Sequence, residues 1–148
     1  MPDMSVEFKI PISVLVVIYT PDLKVLLLER ADHPGYWQSV TGSQDPGESL
    51  RETAVREVAE ETGLDANAFE LSDRGEIHSY EIYPEWRHRY APGVTQNTEH
   101  VWRLKLPHSM SITLAAREHL AYAWHPYQDA ARKCFSPSNA EAILRLAT

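Results

Sequence analysis

Apolar positions first concentrate between Glu7 and Thr20, where Val14-Leu15-Val16-Val17-Ile18-Tyr19 run without interruption. Branched and aromatic residues of this kind favour extended backbone, so Glu7–Thr20 is predicted as a long β segment. Thr20-Pro21-Asp22 is a turn signal leading into Val25–Glu29, and the two stretches predict a largely buried hairpin. Tyr36–Thr41 predicts a further short strand, and Asp45-Pro46-Gly47 a loop. From Ser49 to Thr62 neither proline nor glycine interrupts a helical composition, and Gly63 stands where a helix C-cap belongs. Leu71–Tyr83 and Thr98–Leu106 read as strands around a loop, Pro84–Asn97, rich in arginine, histidine and aromatic residues. A short strand at Ala121–Trp124 precedes helical patterns at Tyr127–Cys134 and Ser138–Leu146, the last with Ser138 or Asn139 as its cap. Strands and helices mixed in this order predict an α/β or α+β sandwich. No repeat, low-complexity stretch or linker divides residues 1–148, so one domain is expected.

Composition narrows the class of protein. At 148 residues, with 43% hydrophobic and 24% charged positions, the chain is long enough for a real core and has an ordinary globular balance. Its apolar runs fall far short of the ~20 residues that cross a bilayer, and no signal-peptide pattern opens it. The single cysteine, Cys134, excludes an internal disulfide and is read as a small buried hydrophobe. A cytoplasmic protein that does not engage membranes is therefore expected. The formal charge of −7 argues against a nucleic-acid binder. That charge is uneven: Gly42–Leu64 carries six acids (Asp45, Glu48, Glu52, Glu57, Glu60, Glu61) against Arg51 and Arg56.

At about 100° per residue, Glu57, Glu60 and Glu61 share one arc of a helix, beside the arc of Ala54, Val58 and Thr62. Two readings of that arc stand. It is either a solvated acidic face partly neutralised by Arg51 and Arg56, or a site for a hard divalent cation, which takes carboxylate oxygens, water and substrate phosphates.

The wider spacing bears on this choice. Gly42, five residues, Glu48, seven residues, then Arg56-Glu57-Val58-Ala59-Glu60-Glu61-Thr62-Gly63-Leu64 reproduces the Nudix box, with both aliphatic positions filled. Its seven fixed identities would coincide by chance roughly once in a billion starting positions. The chain thus resembles the Nudix hydrolases. The resemblance implies an α/β/α sandwich with a mixed β-sheet and a loop–helix–loop box. It also implies hydrolysis of a pyrophosphate linkage with magnesium (Mg2+), manganese (Mn2+) being the alternative. Carried over by residue, Glu57, Glu60 and Glu61 would be metal carboxylates, Glu61 or a neighbour also orienting or deprotonating water. Arg56 would hold a glutamate in place, Glu48 would brace the box, and Gly42 would let the loop approach the metal. A further acidic ligand often lies outside the box; Glu118 is the candidate, its alternative being a loop carboxylate paired with an arginine.

Other stretches bear on the leaving group. Tyr36–Ser43, Arg87–Thr95 with Asn97-Thr98-Glu99, Glu118–Tyr122 before Trp124, and the opening Lys9–Tyr19 resemble bacterial Nudix enzymes that release pyrophosphate from a pterin triphosphate in folate biosynthesis. A small-molecule partner of that kind is expected. Lys9, Arg30, Arg87 and Arg89 are candidates for the phosphates, with Arg87-His88-Arg89 read alternatively as a basic surface turn. Trp37, Tyr80 and Tyr83 are candidates for stacking on a flat ring, and core packing is the alternative for each. In a regular strand Tyr80 and Tyr83 would face opposite ways. Thr41 and Ser136 are hydroxyl candidates, or else bond locally. His119, beside Glu118, is read as a base or as structural. Phosphate-cradling glycine loops and zinc-ligand spacings are absent. Two competing functions remain: a Nudix enzyme for nucleoside triphosphates or dinucleoside polyphosphates, and a non-catalytic Nudix-fold binding module. The oligomeric state is not legible.

Overall fold

The computed structural model describes residues 8–148. Glu7, the first residue of the predicted opening strand, lies outside them. Seven strands and three helices follow in chain order: β1 (Ile12–Tyr19), β2 (Lys24–Arg30), β3 (Trp37–Gln38), β4 (Val40–Ser43), α1 (Leu50–Thr62), β5 (Glu70–Glu81), β6 (Gln96–Lys105), β7 (His119–Pro126), α2 (Tyr127–Lys133) and α3 (Pro137–Leu144). The predicted elements are all found, with different bounds. Tyr36–Thr41 is two short strands, and the loop after β5 contains a 3-10 turn, Pro84–Arg89.

β1 organises the sheet because both of its faces are covered. Val14, Val16 and Ile18 pack toward Ala54 and Val58 of α1, together with Leu26, Leu28, Val40 and Leu104. Leu15 and Val17 point the other way, onto Ala130, Ala131, Ala142 and Ile143 of α2 and α3. Alternate residues of one strand therefore feed two cores, and an unbroken apolar run is what such a strand requires. On one side β1 runs parallel to β6 from Ile12↔Thr98 to Tyr19↔Lys105. On the other it meets β2 only at Tyr19↔Val25, so the predicted hairpin pairs only at its turn end. Beyond that point β1 takes β4, from Ser13↔Ser43 to Val16↔Val40, while β2 pairs with β3 and β7. This fork, mixed in strand direction and flanked by helices on both faces, is an α/β/α sandwich with a mixed sheet.

The helix that carries the acidic segment is closed at both ends by local chemistry. Ser49 is its N-cap, accepting from the Glu52 N–H at 3.1 Å, while the Glu52 carboxylate accepts from the Ser49 N–H at 2.8 Å. This reciprocal capping box satisfies two otherwise orphaned donors. Gly63 ends the helix at φ +75°, where an L side chain would be strained and would also press on Thr113. The third helix is capped by Ser136 rather than by Ser138 or Asn139, and Pro137 occupies its first turn, where a missing N–H costs nothing. Among the described residues no helix is long and apolar enough to cross a membrane.

Ser49→Ala removes one half of the capping box and should destabilise the protein by about 1 kcal/mol. Urea unfolding should show a lower midpoint with an unchanged slope, since the surface exposed on unfolding stays the same.

Candidate active site

The buried face of α1 contains Thr53, Ala54, Glu57, Val58, Glu61 and Thr62, so two carboxylates share the face that packs on the sheet. Glu61 is only 1% exposed, and neither of its side-chain oxygens receives a hydrogen bond. Burial first, then the adjacent Glu57 carboxylate and the charge of Glu118, push its pKa well above the usual carboxylate range. Burial raises Glu57 as well, against the pull of Arg56. Gly42 makes room for this arrangement. A Cβ at residue 42 would lie 2.0 Å from the Glu57 carboxyl carbon, so no larger residue fits while Glu57 keeps its place.

Arg56 holds the surrounding acids apart. Its Nε and Nη2 donate to Glu48 Oε2 and Oε1 at 2.7 and 2.9 Å, and Nη2 also donates to the Ser43 carbonyl at 2.9 Å. Its Nη1 donates to Glu57 Oε1 at 2.5 Å and to Glu60 Oε2 at 3.3 Å. Glu48 further accepts from the Thr53 hydroxyl and the Asp45 N–H. The Arg56 hydrogen bonds hold the Glu48 carboxyl down at about 2. Strand β4, the loop and the helix are thus tied to one guanidinium.

The donor set can be tested for a metal on its own chemistry. Two buried, adjacent carboxylates, one with both oxygens unpartnered, suit a hard divalent cation that prefers oxygen. Glu57 and Glu61 fit this role, and Glu118 lies on the same cleft. Glu60 stands apart: it is exposed, bound to Arg56 and outside the cleft lining. Accordingly, among the described residues no three acids, histidines or cysteines are already gathered as a ligand cluster.

The cleft has a volume of 1590 Å³ and brings together Lys9, Arg30, Thr41, Tyr80, Tyr83, Arg89 and Ser136 from the sequence-derived candidates. Arg30 forks onto Asp32, with Nε and Nη2 each 2.7 Å from a carboxylate oxygen, and Arg89 reaches the same carboxylate at 3.2 Å. The two arginines hold Asp32 down at about 2, from its ordinary 3.8. Lys9 stands close enough to feel both arginines; loss of solvation and the Arg89 charge lower its pKa. An irregularity between Glu29 and Arg30 leaves Leu120 as the extra residue on β7 and shifts the pairing to Arg30↔His119. His119 is buried 3.6 Å from Glu61, and burial with the nearby Arg30 lowers it to about 4, so it is a neutral imidazole.

Two candidates lie off the cleft. Trp37 is not on the cleft; it packs with the α2–α3 core, and Lys133 lies over its ring at 5.1 Å. Arg87 also turns away, donating to the Ile82 carbonyl and pairing with Glu81. The expectation that Tyr80 and Tyr83 occupy one strand fails too, because β5 ends at Glu81 and Tyr83 opens the 3-10 turn. There it stacks on Trp86 at 5.2 Å, with Phe135 edge-on to both and the Arg30 guanidinium 4.4 Å from the Trp86 ring. Trp86, Phe135 and Asp32 escaped the sequence reading. Trp86 sits in the aromatic-rich loop, whereas nothing local marks Phe135, which arrives from the far end of the chain.

The fold and the α1 site define a class. The NUDIX domain family matches residues 9–146, and the chain belongs to that family. It is 48% identical over 139 residues to the dihydroneopterin triphosphate diphosphatase of Escherichia coli K12, covering 92% of this chain and 91% of that protein. The enzyme of the same name from Haemophilus influenzae is 40% identical over 143 residues, covering 95% and 89%. Among solved structures, the E. coli dihydroneopterin triphosphate pyrophosphohydrolase superposes with a TM-score of 0.88 at 47% identity, covering 93% of this chain and 95% of that one.

The shared Asp32 gives a pH signature. A carboxyl held below its unfolded value contributes stability that is present above that value and fades as pH falls through the folded one. The stability advantage of the native chain over Asp32→Asn, measured by urea midpoints, should therefore shrink between about pH 5 and about pH 2. A constant difference would mean that Arg30 and Arg89 do not depend on this carboxylate.

Proposed function

We propose that this chain hydrolyses 7,8-dihydroneopterin triphosphate to dihydroneopterin monophosphate and pyrophosphate in a metal-dependent reaction. The observation that carries the reading is end-to-end similarity to enzymes named for this substrate, at 48% identity over 92% of the chain. The cleft supports it by combining a buried acidic pair, the cations Lys9, Arg30 and Arg89, and an aromatic stack in one cavity.

Glu57 and Glu61 would hold the cation, with Glu118 as a further oxygen ligand and Glu60 joining only if released from Arg56. Mg2+ is the expected ion, Mn2+ the alternative. When bound, such an ion neutralises phosphate charge and makes an attacking water more acidic. The protein's own part is positioning. Lys9, Arg30 and Arg89 draw the triphosphate into a chain of net charge −7 that would otherwise repel it. Arg56, anchored by Glu48 and Ser43, fixes Glu57 against Gly42. The ring seats by Tyr80, Tyr83 and Trp86, and Thr41 and Ser136 offer hydroxyls along the path. Cleavage of the α–β anhydride adds the water hydroxyl to one phosphorus and returns its proton to solvent through a buried carboxylate. A cleft lined by these groups suits a small free substrate in the cytoplasm.

The test compares kcat/KM with Mg2+ for dihydroneopterin triphosphate, deoxynucleoside triphosphates and diadenosine polyphosphates. The expected result is preference for the pterin with release of pyrophosphate; preference for a nucleotide would overturn the substrate. Glu61→Gln should lower kcat by at least about 100-fold. Unchanged turnover in that variant would favour a different catalytic centre.

A further inference from the structure

One group of polar side chains in the cleft has no part in the hydrolysis just described. Asn97 and Glu99 are two residues apart on β6 and share the face that Val101 turns toward α2 and α3. Both are buried, at 2% and 4% exposure, and both line the cleft. Asn97 spends its two amide hydrogens on the Ser13 and Tyr80 hydroxyl oxygens, at 2.7 and 3.1 Å. Its Oδ1 is left buried with no donor. Among the described residues Glu99 receives one hydrogen bond, from the Ser138 hydroxyl to Oε1 at 3.0 Å, and none reaches Oε2. No cation lies within ion-pair distance of it among those residues, although His78 is its partner across the β5–β6 ladder. A buried amide oxygen without a donor and, two residues along the same strand face, a carboxylate oxygen that no described side chain or N–H reaches therefore both line the cleft.

Such a wall has a definite complement. A buried acceptor without a donor is unfavourable, and a ligand that brings donors relieves it, whereas one that brings acceptors or hydrocarbon does not. We infer that Glu99 and Asn97 read the hydrogen-bonding edge of the head group, Glu99 Oε2 and Asn97 Oδ1 accepting from a ring N–H and the exocyclic amino group beside it. The aminopyrimidinone of a pterin presents this pair of donors. The inference rests on the reading above, and it makes Glu99 a specificity-determining residue rather than a catalytic one.

The topology gives the edge its place. Ser13 of β1 is flanked by Glu99 on β6 and by Ser43 on β4, next to Gly42 and Thr41. Two strand spacings, roughly 10 Å, thus separate β6 from β4, whose Gly42 meets Glu57 on the opposite, α1 face of the sheet, and one cleft reaches both Glu99 and Glu57. A bicyclic ring on a short carbon arm can span that interval with its phosphates toward Arg30 and Lys9. Tyr80, held by Asn97, then stands beside the ring.

Two measurements test this. The first is calorimetric binding of 7,8-dihydroneopterin, which has no phosphate, without metal. Glu99→Gln turns an N–H toward the ligand's N–H and should weaken binding at least about tenfold. The second is kcat/KM with Mg2+ for the pterin triphosphate, for dGTP, which carries the same donor edge, and for dTTP, which has no exocyclic amine. E99Q should lose at least about tenfold on the first two and less than about twofold on dTTP. Glu99→Asp keeps the charge but withdraws it, and should show the same selective loss should E99Q fail to fold. Equal losses on all three substrates, or unchanged dihydroneopterin binding, would make Glu99 merely the anchor of α3 and overturn the inference. If the native enzyme does not favour the pterin over nucleotides, the substrate reading fails by itself. The dGTP-to-dTTP ratio then still decides the role of Glu99.

Discussion

Two carboxylates on the packed face of one helix set the terms for this molecule. Glu57 and Glu61 occupy positions that apolar side chains would normally take, and Glu61 is as buried as the leucines beneath it. Desolvation and mutual repulsion both oppose their ionisation. The protein tolerates this because the surroundings are built to spread the charge. Arg56 takes one oxygen of Glu57, Glu48 and the Ser43 carbonyl fix Arg56, and the capping box and Gly63 fix the helix that carries all of them. Glu61 is left uncompensated, and that is where the chemistry of a divalent cation fits.

The fork in the sheet turns this local arrangement into one wall of a cleft. Because β1 leaves β2 after a single pair, β4 comes alongside β1 and brings Gly42 against Glu57. The same fork leaves β2 to pair with β7, whose irregularity sets Arg30 opposite His119, itself beside Glu61. Cations, aromatic rings and carboxylates that are far apart in the chain thus meet in one cavity. A polyanion with a flat head group is what that combination suits.

The box was legible because its information is local. A capping serine, a run free of glycine and proline, and acids at helical spacing specify α1 without help from the rest of the chain. The strands were also legible as strands, but not their partners. An apolar run such as Val14–Tyr19 has no alternation to show which residue faces which helix, since both faces are buried. Aromatic identity likewise carried no direction: Trp37 and Tyr83 are both large rings near a strand, yet one joined the core beneath α2 and the other stacked on Trp86. Phe135 and Glu99 depend on contacts across the sheet or from the chain's far end, which no spacing rule reaches. Ser136 was misjudged as to its cap role although Pro137 marked the helix start.

The central claim is that Glu61 is buried without compensation so that a divalent cation can supply it. Thermal unfolding of the native chain and of Glu61→Gln, each with and without Mg2+ or Mn2+, tests this most directly. A ligand that binds only the folded state raises the midpoint by an amount that grows with the logarithm of its concentration over its Kd. The account predicts that metal stabilises the native protein and not E61Q, and that metal-free E61Q is at least as stable as the native chain. An equal metal-induced rise in both proteins would contradict it.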